Sequence, residues 1–226
     1  MVKWNGKMKA VTFSYDDGVI SDEKLLGIIN KYHLKCTFNL NSGLIGKADS
    51  WKYKDFVATR PGVEHLKHLY AGHEIAIHGT RHIHPLNLSR KELTDEFKVD
   101  KQQLEEIFGT SMTGMAYAFG EYDDVLKNFL RENGVKYGRT TRSTHCFQRQ
   151  EDLLAFNPTC HHNDEKIFDL IDNFLNSNLS EPQLFYIWGH SYEFDGDHNW
   201  EHLEEICKRL SGHDDVFYGT NQEVLL

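Results

Sequence analysis

Short apolar runs alternate along this chain with longer stretches in which apolar residues return every three or four positions. Residues 9–15 (KAVTFSY) set Val11, Phe13 and Tyr15 on one face and predict a strand. Strands are predicted likewise at 36–40, 74–77, 114–119, 135–141, 183–188 and 216–218. Between them lie helical segments. Ser21 reads as an N-cap, with Asp22 and Glu23 in the first turn of a helix reaching Tyr32. Ser89 and Glu92 form a capping box that opens a helix closing at Gly109. Further helices are predicted over 61–70, up to Glu132, over 164–175 and over 199–210. The β-α unit repeats about seven times. That order predicts an α/β fold with a largely parallel sheet, open or closed into a barrel, within a single domain spanning 1–226.

Composition narrows the function. The 226 residues carry 25 Lys and Arg against 34 Asp and Glu, a formal net charge of −9. No basic tract is present, which excludes nucleic acid or an anionic membrane as the main partner. A strongly anionic glycan would be repelled for the same reason. No 18-residue apolar run predicts a membrane span. The first residues show no apolar signal region, so the expected location is cytoplasmic. The four cysteines are scattered without a C-x-x-C pair and read as free thiols. The 14 histidines stand out, because imidazole is the commonest metal ligand and titrates near neutral pH.

In α/β folds the chemistry gathers at the carboxyl ends of strands. The first strand ends in Ser14-Tyr15-Asp16-Asp17-Gly18. Adjacent carboxylates are costly to bury unless a cation or hydrogen bonds compensate, although Asp-Gly also suits a solvated turn. The third ends in Ile77-His78-Gly79-Thr80-Arg81-His82. One helical turn would put His78 and His82 on one face, or they are two separate polar histidines. His84, just beyond, reads as a loop residue. The strand 183–188 runs into Gly189-His190 and a loop with Glu193 and Asp195, suited to acid–base work or to a core histidine. Taken together the three ends supply one Asp and two His for a metal, a spare Asp and a separate His. Three protein ligands and an open position make the usual catalytic zinc arrangement.

These segments resemble the motifs of the polysaccharide deacetylase family (NodB homology, carbohydrate esterase family 4). Tyr15-Asp16-Asp17-Gly18 resembles the first motif. His78 to His82 resembles the second, with Gly79 at its hydroxyl position. Ala116-Tyr117-Ala118-Phe119-Gly120 is similar to the third and Gly189-His190 to the fifth, so the resemblance covers residues 9 to 220. It implies a distorted (β/α) barrel. It also implies that Asp17, His78 and His82 bind a divalent metal, usually zinc and sometimes cobalt, nickel or manganese. Asp16 would be the general base, the Phe119 backbone N–H part of the oxyanion site, and His190 the acid that protonates the leaving amine. The implied reaction removes N- or O-linked acetyl groups from a carbohydrate.

Two departures accompany the resemblance. The family's third-motif arginine aligns with Ala116 and its proline with Ala118, and its fourth motif is not found. Arg139, in Tyr137-Gly138-Arg139-Thr140, is expected to reach in from the neighbouring strand end and replace the arginine, with Arg142 as the fallback. Tyr117, Tyr192, Glu193, Trp200 and His161 are expected to contact substrate, with Trp200 or Tyr192 stacking on a pyranose ring. His162 is a further neighbour. Three alternatives stay open. One is the same fold acting on another amide such as a cyclic one. Another is a non-catalytic sugar-binding relative, suggested by the missing motifs. The third is a two-His, one-carboxylate iron oxygenase site, which usually sits on an all-β scaffold.

Overall fold

In the computed structural model, residues 4–47, 50–177 and 180–226 are described. The strands are β1 (Lys9–Asp16), β2 (Cys36–Leu40), β3 (Ser50–Tyr53), β4 (Phe56–Thr59), β5 (Glu74–Ile77), β6 (Gly114–Ala116), β7 (Tyr137–Arg139), β8 (Cys160–His161), β9 (Gln183–Gly189) and β10 (Val216–Tyr218). The helices are α1 (Asp22–Lys31), α2 (Val63–Leu69), α3 (Arg90–Leu93), α4 (Val99–Phe108), α5 (Asp124–Glu132), α6 (Ile167–Leu175), α7 (Ser191–Gly196), α8 (Trp200–Leu210) and α9 (Asn221–Leu225).

One parallel sheet runs in the order β7-β6-β5-β2-β1-β9-β8, and β10 joins it at β1. The β1 edge is shared: Lys9–Val11 pair with β10 and Phe13–Asp16 with β2, while β9 pairs along the other edge. All eight residues of β1 are buried, the polar Lys9, Thr12, Ser14 and Asp16 along with the apolar Val11, Phe13 and Tyr15. Between the outer strands, Phe156 bonds β7 through Gly138 and Thr140, and Thr159 bonds β9 through Tyr186. This irregular segment spans the gap that a regular strand would close. The result is the distorted (β/α) barrel, with an extra antiparallel hairpin, β3–β4.

The helices cover the sheet with their apolar faces. Leu25, Leu26 and Ile29 of α1 and Leu203, Ile206 and Leu210 of α8 join one core with Phe13, Phe38 and Phe185 from the strands. Each such fully buried side chain contributes about 1.5–3 kcal/mol. Ser89 and Glu92 do form a capping box, and Gly109 ends α4 in the left-handed conformation. Between α3 and α4 the helix widens into a π-turn at Thr94–Lys98. All four cysteines are free, and only Cys146 is exposed. Among the described residues no helix is long and apolar enough to cross a membrane.

Candidate active site

The site lies at the carboxyl end of the sheet. β1 ends in the buried pair Asp16 and Asp17. The Asp17 N–H donates to Asn39 at 3.0 Å, continuing the ladder with β2. Asp17 and Gly18 then both adopt positive φ, 78° and 62°. At Gly18 a Cβ would come within 2.7 Å of Leu40, so the tight turn has no room for a side chain. Asp17 faces His78 and His82, whose Nε2 atoms lie 4.0 and 3.9 Å from its Oδ1. Asp16 Oδ2 lies 3.8 Å from the same His78 Nε2.

His78 and His82 do not converge through a helical turn. They sit on an irregular loop in which Gly79 and His82 have positive φ, 85° and 55°. Two acidic side chains that the sequence reading missed hold this loop. Asp100 on α4 accepts from the N–H groups of Ser42 (2.7 Å), His78 (3.1 Å) and Gly79 (2.9 Å). Glu96, in the π-turn, accepts from the Arg81 N–H at 2.9 Å, and a Cβ on Gly79 would meet its Oε1 at 2.7 Å. A signal existed: Asp100 is three residues after Phe97 and four before Leu104, a charge on the apolar helix face.

The donor set fits a divalent cation. His78 Nδ1 donates to the Ala116 carbonyl at 2.8 Å, so its proton is on Nδ1 and the Nε2 lone pair is free. That Nε2 is buried and has no hydrogen-bond partner. Ligand atoms of Asp17, His78 and His82 all lie within 4.8 Å of one another. Burial and the neighbouring His78 push His82 down to about 4, which keeps it neutral as a ligand must be. Arg60 donates to the Asp17 carbonyl at 3.2 Å from the base of the hairpin.

Arg139 meets Asp16. Its Nη2 lies 2.5 Å from both carboxylate oxygens, and Asn39 Nδ2 donates to Oδ1 at 2.8 Å. The strand register explains the substitution. Ala116 on β6 pairs with Arg139 on β7, so the guanidinium enters from one strand further over at the same height. Its group lies 4.6 Å from the Trp188 ring centre. Burial alone would raise the Asp16 carboxyl. The Arg139 guanidinium and the His190 charge outweigh it and hold it at about 2, ionised at neutral pH.

Across Asp16 stands His190, with Nε2 4.0 Å from Asp16 Oδ2. Its Nδ1 lies 3.2 Å from Glu193 Oε1. Burial opposes its charge, but the Glu193 hydrogen bond and the charges of Asp17, Glu193 and Asp16 raise it to about 9. Tyr192 packs beside His190, its ring 5.2 Å away. The hairpin adds Trp51 and Tyr53, both edge-on to Tyr192. Phe119 adopts φ 56°, is half exposed, and stacks on His84 at 4.0 Å on the opposite rim.

Two expected substrate contacts, Tyr117 and Trp200, are corrected. Tyr117 is buried and gives its hydroxyl to the Leu154 carbonyl at 2.6 Å. Trp200 is buried against Phe194 and donates to Asp195 at 2.8 Å, so its ring is a core element and no sugar platform. Glu193 and His161 face each other, Oε2 to Nε2, at 3.0 Å, and His161 Nδ1 accepts from the Asn163 N–H. Both side chains stay partly exposed at the site. Arg142 is not needed where Arg139 reaches Asp16. The hairpin and the α7 turn were missed in the sequence. The Lys54-Asp55 turn lacks the usual glycine, whereas the His190-x-x-Glu193 spacing was a readable cap signal.

A peptidoglycan deacetylase of Helicobacter pylori is 25% identical over 120 residues, 53% of this chain and 36% of the relative. The chain thus spans about a third of the length of that curated relative. Among solved structures, a family 4 carbohydrate esterase from Streptomyces lividans in complex with acetate superposes with a TM-score of 0.58 at 14% identity, covering 95% of this chain and 92% of the other. A Streptococcus pyogenes deacetylase in complex with acetate gives 0.51 at 24% identity over 57% and 55%. A family 4 pseudoenzyme from Bacillus anthracis gives 0.57 at 14% over 96% and 66%. These likenesses carry the fold. The sequence model of polysaccharide deacetylases matches residues 3–138, more than half of the chain, and the protein belongs to the polysaccharide deacetylase family.

Proposed function

We propose that this protein is a metal-dependent hydrolase that removes acetyl groups from a carbohydrate. The observation that carries the reading is a single juxtaposition. An ionised, arginine-held Asp16 stands between the Asp17, His78 and His82 donor set and a histidine that favours its charged form. Asp17, His78 and His82 would hold the cation, zinc by preference for two imidazoles and one carboxylate. Bound there, it would supply Lewis acidity, lowering the pKa of water and polarising an acyl oxygen.

The chain's own residues divide the remaining work. Asp16 accepts the proton of the attacking water. Arg139 and Asn39 fix the direction of its carboxylate, which keeps the base aimed without any reorganisation. His190 gives a proton to the departing nitrogen, because an amine leaves poorly as its anion. The Phe119 backbone N–H lies on the strained turn after β6 and is the protein's donor for the acyl oxygen. Tyr192, backed by Trp51 and Tyr53, offers an aromatic surface beside the acid for a sugar ring. The net charge of −9 favours a neutral glycan, and the Helicobacter pylori relative supports an N-acetylated amino sugar.

Acetate release from N-acetylglucosamine oligomers and acetylated xylan, set against ring opening of a cyclic amide, tests the reading. Zinc-loaded protein is expected to free acetate from a glycan, and chelation or Asp16→Asn to abolish it. A protein that binds zinc and oligosaccharide yet frees no acetate with any divalent metal overturns it.

A further inference from the structure

The second histidine cluster faces the first across Asp16. Glu193 Oε1 meets His190 Nδ1 at 3.2 Å, and its Oε2 lies 3.0 Å from His161 Nε2 and 3.1 Å from His162 Nε2. The His190 backbone N–H also points at Oε2, at 3.3 Å. One carboxylate therefore touches both the ring and the backbone of the same histidine. His162 is fully buried, and neither of its ring nitrogens has a hydrogen-bond partner, so its approach to Glu193 is close without being aligned. It braces the site from below: a Cβ on Gly189 would stand 2.0 Å from its Nδ1, which only glycine avoids.

The turn that carries Glu193 is pinned at both ends. Ser191 donates to buried Asp22 at 2.5 Å, and Ser21 donates to Asp195 at 2.6 Å. Glu193 itself is mostly buried, so its charge acts with little solvent screening.

We propose that Glu193, buttressed by His161, is the positioning residue that fixes the tautomer and aim of His190. This rests on reading His190 as the acid of the deacetylation. With its Nδ1–H committed to Glu193, His190 presents Nε2–H toward Asp16 and the reacting centre. The groups facing His190 are Asp16 and Asp17 from β1, His161 from β8, Trp188 from β9, and Tyr192 and Glu193 from α7. Among them Glu193 alone engages Nδ1. The relation is local in sequence, three residues apart on one turn, and stands where the family's separate fourth motif is not found.

Two measurements on the zinc-loaded full chain test this. The first is NMR titration of ring-labelled histidine. Glu193→Gln is expected to lower the His190 midpoint by at least about one pH unit, since each unit reports about 1.4 kcal/mol of lost preference for the charged ring. The second compares a chitooligosaccharide with 4-nitrophenyl acetate, whose phenolate leaves without a proton. Glu193→Gln is expected to cut kcat on the amide about 10- to 100-fold and on the ester less than about 3-fold, with KM and zinc content unchanged. His161→Phe is expected to lower the amide-to-ester ratio in the same direction by about 3-fold, and serves if Glu193→Gln does not fold. An unchanged His190 midpoint, or equal losses on both substrates, overturns the proposal. A wild type that spares the amide overturns the deacetylase reading alone, while the titration still decides the role of Glu193.

Discussion

Two clusters of the same composition face each other across Asp16, each made of two histidines and one carboxylate. In the first, Asp17, His78 and His82, the Ala116 carbonyl takes the Nδ1 proton of His78 and leaves its Nε2 lone pair buried and unpartnered. In the second, Glu193, His161 and His190, the Asn163 N–H donates to His161 Nδ1, so the proton sits on Nε2 and faces Glu193. A lone pair converging with a carboxylate suits a cation. An N–H converging with a carboxylate is already satisfied. Residue identity is therefore a poor guide to a metal site. The group behind each imidazole decides the tautomer, and the tautomer decides the use.

Zinc stoichiometry breaks or keeps that distinction most directly. Calorimetric titration of metal-free protein is expected to give one equivalent. His78→Gln should weaken it by at least about 100-fold, the upper end of what losing even an outer partner costs. His161→Phe should leave the affinity unchanged. A second equivalent that His161→Phe removes would mean that both clusters bind metal.

The base between the clusters gives the next effect. Arg139→Lys keeps a charge but loses the planar fork, and Lys is no conservative replacement at such a site. The expected result is a fall in kcat on the order of 100-fold, within the range for a mis-set general base, with zinc affinity retained. Equal activity would mean that Asn39 alone aims Asp16.

The smallest effect is on stability. The His190 pKa is raised in the fold to about 9, from 6.5. Its contribution is fully present below pH 6.5 and is lost as pH rises toward 9. Thermal unfolding of the wild type should therefore weaken across that window. Glu193→Gln should flatten the slope, because the partner that holds the proton is gone. A slope that survives would assign the shift to Asp16 and Asp17 instead.

Much of this was legible in the chain. The strands at 36–40, 74–77 and 216–218 have the predicted bounds, because each is a compact apolar run between turn residues. Asp16, Asp17, His78, His82 and His190 were readable because each ends a strand. Strand 114–119 was drawn too long: only Gly114–Ala116 pair, and the chain turns at Ala118–Gly120 with Phe119 at positive φ. A hydrophobic pattern does not reveal a backbone reversal at an aromatic residue. Tyr117 and Trp200 were misread because an aromatic near a strand end looks alike whether it lines a groove or fills the core.

The sequence by itself determined which residues end up at one rim, because alternating β-α units force parallel strands and put every strand end on the same side. Only the tertiary structure decided what those residues do there. Arg139 reaches Asp16 because β7 pairs with β6 in the register that sets it beside Ala116. His78 is a lone-pair donor and His161 an N–H donor because of one carbonyl and one amide from segments far from or beside them in the chain. Proton positions and charge depend on neighbours within about 3 Å, and those distances exist only once the sheet has curled.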